Sequence, residues 1–196
     1  MGSACSLIGS PDILESLREA RLTSEKIAPT AQETIGRFET IQTNYDDPTL
    51  DALLLDWDIR FAKSKEITQQ FAVDIRNVKL AAAKYLKDQQ KLSAQIADPT
   101  RRRAAKVQDY QDFLLYQEWA VAAEESLQAA QSLVSTFNDI DLELQKMQLR
   151  KGYAFRNVDF NEINLEVEHM RSELLEFRDA SDKLAASTSS PFAQES

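Results

Sequence analysis

Glu166 and His169 stand three residues apart inside a helical pattern, the spacing at which a carboxylate and an imidazole on one helix face can share a metal ion. A dinuclear site in a helical bundle needs a second such pair and two further inward glutamates, and His169 is the only histidine of the chain. Val167 and Met170 take the apolar seam, which leaves Glu166 and His169 flanking it. His169 is therefore expected on an exposed polar face, holding no metal. Cys5 is the only cysteine, so an internal disulfide and a cysteine-rich metal site are excluded. A nucleophile needs a positioned base beside it, and a tail cysteine with one exposed histidine does not supply that pair. The 32 acidic residues must meet at i, i+4 somewhere on helical surfaces, and no two stand out as an acid and a base. Gly2, Gly9, Gly36 and Gly152 are too scattered to cradle a phosphate. No catalytic residue, cofactor or enzymatic activity is expected.

Two kinds of surface chemistry remain. From Lys84 to Lys106 the chain carries Lys84, Lys87, Lys91, Arg101, Arg102, Arg103 and Lys106 against Asp88 and Asp98. This local excess of five positive charges sits in a chain of net charge −9, so the remainder is fourteen negative. Lysines near the end of one helix complement its carbonyl dipole, but three arginines opening the next helix oppose the dipole there. Arg101, Arg102, Arg103 and Lys106 are therefore expected to meet an anionic surface, such as a membrane. The bulk negative charge argues against nucleic acid, and no apolar run reaches the roughly 18 residues that span a bilayer. The second signal is Gly2-Ser3-Ala4-Cys5. It is similar to the small-residue end of a bacterial lipoprotein signal with Cys5 as the lipidated residue, Met1-Gly2-Ser3 then being foreign to the mature protein. Met-Gly-Ser-Ala-Cys-Ser equally fits N-myristoylation on Gly2 with palmitoylation on Cys5.

The elements that position these residues are helices. Steps of four and three from Leu50 run through Leu54, Trp57, Phe61, Ser64, Thr68, Phe71, Ile75, Val78, Ala82, Tyr85, Gln89 and Leu92 to Ile96. A seven-residue seam of this length predicts a helix supercoiled on its neighbours, roughly 70 Å long. Before it, Ser10-Pro11 opens a helix whose face passes through Ile13, Leu17, Ala20, Ser24 and Ile27. Pro29 kinks or divides that helix, Thr30 and Glu33 form a capping-box pattern, and Ile35, Phe38, Ile41 and Tyr45 carry the face onward. After Asp98-Pro99-Thr100 a third helix runs to about Lys151, with Phe113, Tyr116, Ala120, Ala123, Leu127, Ala130, Val134, Phe137 and Leu144 on its face and Gly152 at its end. Leu115, Trp119, Ile140 and Leu149 fall off that face and are free to pack on the outer helices or on a partner. A second capping box at Asp159 and Glu162 opens the last helix, with Ile163, Val167, Met170, Leu174, Phe177, Ser181 and Leu184 as its seam.

The expected fold is all-α: an elongated bundle of four antiparallel helices, up-down-up-down, with a long central hairpin. Residues 1–9 read as a flexible tail, 10–186 as the bundle and 187–196 as a disordered tail. In that order the arginine tip and the N-terminal tail share one end, so a lipid on Cys5 would turn the tip toward the bilayer.

Glu19-Ala20-Arg21 with Phe38, the turn Asp98-Pro99-Thr100-Arg101-Arg102, and Phe137-Asn138-Asp139 with Leu142 and Leu144 resemble a family of bacterial long-helical envelope lipoproteins of unknown function. The resemblance spans about residues 13–175, and Pro29 and Gly152 depart from its pattern. It implies a lipid-anchored periplasmic protein without an established activity. Ser6 after Cys5, in place of the aspartate of inner-membrane retention, implies the outer membrane. The resulting expectation is a non-catalytic scaffold of the bacterial cell envelope, with protein partners or self-association along the bundle. The alternatives are a dual-acylated cytoplasmic adaptor on a eukaryotic membrane and a ferritin-like metal-binding bundle.

Overall fold

The computed structural model describes residues 11–43, 49–149 and 160–189, and no strand occurs among the described residues. Among the described residues four helices follow one another: α1 (Pro11–Thr43), α2 (Leu50–Gln95), α3 (Pro99–Leu149) and α4 (Phe160–Ser189). The all-α helical bundle is therefore the fold, and the inner helices, 46 and 51 residues, exceed the outer ones, 33 and 30. Gly2, Cys5, Tyr45, Gly152 and Asp159 lie outside the described residues.

Pro29 does not divide α1. Proline removes one helical hydrogen bond and crowds the preceding turn, yet Ile27, Ala31, Ile35 and Phe38 are buried on both sides of it, and this packing carries the helix through. The capping box expected at Thr30 and Glu33 does not form. Thr30 is buried inside the helix, and Glu33 instead accepts a hydrogen bond from Arg60 of α2 at 3.0 Å.

In α2 every seam position from Leu54 to Tyr85 is buried. Beyond it Gln89 and Ile96 are half-buried and Leu92 is exposed, while Ser93 beside it is buried. The slip of one residue has a geometric cause: a straight helix drifts about 20° per heptad from a seven-residue seam. Five heptads from Trp57 to Leu92 accumulate about 100°, one residue's worth of rotation. In α4 all the expected seam residues, Ile163 through Leu184, are buried, and the helix continues through Ser187 to a buried Thr188.

The register of α3 differs from the sequence reading. Its buried stripe is Trp119, Ala123, Ser126, Ala130, Leu133, Phe137, Ile140 and Leu144, while Tyr116, Ala120, Leu127 and Val134 are half-buried and Phe113 is exposed. Trp119 and Ile140 are thus core residues, Leu115 is half-buried, and Leu149 is exposed.

Contacts group the chain into two units, each drawing a segment from all four helices. In the unit of Thr23–Ala72 and Glu125–Leu174, residue numbers rise along one helix as they fall along its neighbour. Glu33 meets Arg60 and Phe38 meets Trp57; Phe61 meets Phe137 and Trp57 meets Asp141. Likewise Ser126 meets Glu173 and Thr136 meets Glu166, while Gln32 meets Arg171 and Phe38 meets Phe160. These pairs fix four antiparallel neighbours in up-down-up-down order. The core here is aromatic: Trp57 lies 5.8 Å from Phe38 and from Phe61, and 6.1 Å from Phe137, between ring centroids. The polar Ser64 of the α2 seam is satisfied by Thr34 at 3.0 Å, and Thr34 Oγ1 lies 2.9 Å from the Thr30 carbonyl.

In the other unit Trp119 is fully buried, 6.1 Å from the rings of Tyr116 and Phe177, and its Nε1 donates to Ser181 Oγ at 3.0 Å. Ion pairs Arg21–Asp182, Lys79–Glu124 and Lys183–Glu118 tie α1 to α4, α2 to α3 and α4 to α3 around it.

Candidate functional site

The turn between α2 and α3 is built by Asp98 and Pro99. Asp98 Oδ1 accepts the backbone N–H of Thr100 at 2.9 Å and of Arg101 at 2.8 Å, and its carbonyl accepts Arg102 N–H at 2.9 Å. Proline at the first helical position has no N–H to leave unsatisfied. This is a complete N-cap, and it sets Arg101 and Arg102 on the first turn of α3 and Arg103 at the start of the second.

The three arginines then differ. Arg102 folds back, and its Nη2 donates to the Ala97 carbonyl at 2.9 Å, satisfying an acceptor just past the end of α2. Arg101, Arg103 and Lys106 are exposed, and among the described residues their side chains have no ion pair. On α2, Lys91 pairs with Asp88 at 3.3 Å and Lys84 is also engaged. Arg102 thus satisfies a carbonyl at the end of α2, whereas Arg101, Arg103 and Lys106 have no ion pair among the described residues.

Apolar residues accompany these charges. Val107, Tyr110 and Leu114 of α3 are exposed by 54, 61 and 44%. Lys106, Tyr110 and Phe113 form an open groove with Gln90 and Ala94 of α2. Asp109 lines it as well.

Behind this surface is a polar cluster that sequence reasoning missed. Asp112 is almost wholly buried, accepts a hydrogen bond from Gln108 Nε2 at 3.0 Å and another from Ser187 of α4. Burial pushes its carboxyl above the ordinary range, and the Asp109 charge adds to this. Tyr85, across on α2, is pushed up to about 12, first by burial and then by the charges of Asp112 and Asp109. A signal was present: Asp112, Trp119, Ser126, Leu133 and Ile140 are spaced by sevens, so Asp112 opens the buried stripe of α3.

His169 is exposed, with its Nδ1 3.5 Å from Glu173 Oε1, while Glu166 accepts a hydrogen bond from Thr136 at 2.8 Å. The Glu-x-x-His pair is thus divided between separate partners. No described helix is long and apolar enough to cross a membrane. Compared with known proteins, the chain matches no family model, no curated relative and no solved structure.

Proposed function

We propose that this chain is a non-catalytic helical scaffold of the bacterial cell envelope, lipid-anchored at Cys5 on the periplasmic side, whose α2–α3 turn docks on an anionic membrane surface. One observation carries the docking: Arg101, Arg103 and Lys106 are exposed at the opening of α3 with no ion-pair partner among the described residues. A cation in the first turn of a helix costs stability against the dipole, typically about 0.3–1 kcal/mol, and Arg101, the third residue of α3, stands there. A basic residue near an anionic leaflet contributes about 1 kcal/mol. Three such residues suffice to hold a tethered protein in one orientation.

The test is binding of the full chain to vesicles containing phosphatidylglycerol, compared with phosphatidylcholine alone. Arg101→Glu with Arg103→Glu is expected to weaken binding to the anionic vesicles by about 30-fold or more. Unchanged affinity would overturn the docking.

The sequence Met-Gly-Ser-Ala-Cys-Ser supports a second reading, a cytoplasmic adaptor acylated at Gly2 and Cys5. The two readings share the basic turn and differ in the lipid. Intact mass of protein from its native membrane separates them: diacylglyceryl on Cys5 for the first, myristoyl on Gly2 for the second.

A further inference from the structure

Arg103, Lys106, Val107, Tyr110 and Leu114 follow one another as i, i+3, i+4, i+7 and i+11, so they share one side of α3. All five are exposed, and the stripe lies away from the side that buries Asp112 and Trp119. Between Arg103 and Gln117 the acidic residues are Asp109 and Asp112, of which the first is half-buried and the second buried. The stripe itself therefore combines two cations with three large apolar side chains, and half-buried Asp109 lines the groove beside Lys106 and Tyr110.

We infer that this flank of α3, and not the arginine turn alone, lies in the interface of an anionic bilayer, with Val107, Tyr110 and Leu114 entering the headgroup–acyl boundary. The inference rests on the membrane docking proposed above and adds how the hairpin lies. Three facts select a bilayer as the occupant. The stripe has the composition of an interfacial helix: a basic margin beside an apolar strip. Tyrosine places its ring at headgroup depth and its hydroxyl in water, and a lysine stem lies along apolar surface with its charge in the aqueous layer. A second copy presenting the same stripe would bring no carboxylate to pair with Arg103 and Lys106. The charge pattern complements phosphate headgroups. The apolar strip matches the acyl boundary behind them.

The experiment uses the full chain with Cys5→Ser, so that one introduced cysteine can carry an environment-sensitive fluorophore. Tyr110→Cys places it on the flank, and Glu19→Cys, exposed on α1, serves as the control. With vesicles of phosphatidylglycerol and phosphatidylcholine, the label at position 110 is expected to shift to the blue and brighten while that at position 19 does not. In parallel, Val107→Ser with Tyr110→Ser and Leu114→Ser is expected to lose about tenfold or more in affinity for the same vesicles. These positions are exposed, so the melting temperature is expected to stay near that of the parent.

Salt-sensitive binding with a water-exposed label and an unaffected triple-serine variant would overturn the flank and leave the arginine docking standing. Absence of binding by the parent would overturn both. A blue shift without vesicles, accompanied by a change in oligomeric state, would make the flank a contact between copies and overturn the inference.

Discussion

Asp112 and Asp56 place two carboxylates in opposite electrostatic situations. Asp56 of α2 is held below the ordinary carboxylate range, first by its hydrogen bond from Arg60 and also by Arg37, against the cost of burial. Asp112 is raised, because two neutral donors, Gln108 and Ser187, do not offset its desolvation. A raised folded pKa means that the buried carboxyl costs nothing below the ordinary aspartate value and destabilises as pH climbs through the raised one. Asp112→Asn, which keeps the acceptor for Gln108, is expected to melt higher than the parent near pH 7. The difference should vanish near about pH 3, below the ordinary value. For Asp56→Asn the sign reverses. Its depressed pKa supplies stability above the ordinary value that fades as pH falls, so this variant should melt lower than the parent at neutral pH and equal to it in acid. Thermal melts of the three proteins across pH decide both. Trp119→Phe is a third residue-scale test. It leaves Ser181 Oγ without its indole donor in the core and should cost about 1 kcal/mol by chemical denaturation.

At the scale of the element, α2 and α3 show how a seven-residue seam is used and where it gives out. The seam of α2 holds where helices pack around it and moves from Leu92 to Ser93 near the turn. Phe71→Ala is therefore expected to cost about 3–5 kcal/mol, whereas Leu92→Ser, equivalent in the heptad pattern, should stay within about 0.5 kcal/mol of the parent. Denaturant titrations of both variants check this. The opening of α3 depends on Asp98, whose side chain and carbonyl take three backbone donors. Asp98→Ala should cost about 1 kcal/mol. In α3 the heptad positions Ala123, Ala130, Phe137 and Leu144 belong to two possible stripes. One is completed by Ala120, Leu127 and Val134, the other by Trp119, Ser126, Leu133 and Ile140. Both are largely apolar. The neighbours decide: α4 supplies Phe177 and Ser181 for Trp119 and the Glu173 carbonyl for Ser126.

At the scale of the whole molecule, charge is the property that reaches furthest from the core. Five net positive charges lie between Lys84 and Lys106 in a chain of net −9, so charge is separated along the sequence. Membrane attraction through exposed lysines and arginines is screened within about 8 Å at physiological ionic strength. Raising salt from about 50 to 500 mM should accordingly release most of the vesicle-bound protein if headgroup attraction dominates. A salt-resistant fraction measures the apolar contribution of Val107, Tyr110 and Leu114.

The sequence by itself determined that the chain is helical and four-membered, because the apolar period of each segment is a local property and Pro11, Pro99 and Asp98 punctuate it locally. It determined the seam of α4 and that of α2 from Leu54 to Tyr85 as well, where a single apolar stripe faces polar residues on the other sides. Tertiary structure alone decided which stripe of α3 is inside, that Pro29 sits within one helix, that Thr30 is buried within it, and that Arg102 turns back to Ala97 while Arg101 and Arg103 stay outward. The choice of stripe depends on residues far away in the chain, whereas Arg102 and Ala97 are only five residues apart. Period tells a helix which side to hide only when one side is clearly the more apolar; where two are equal, the neighbouring helices choose.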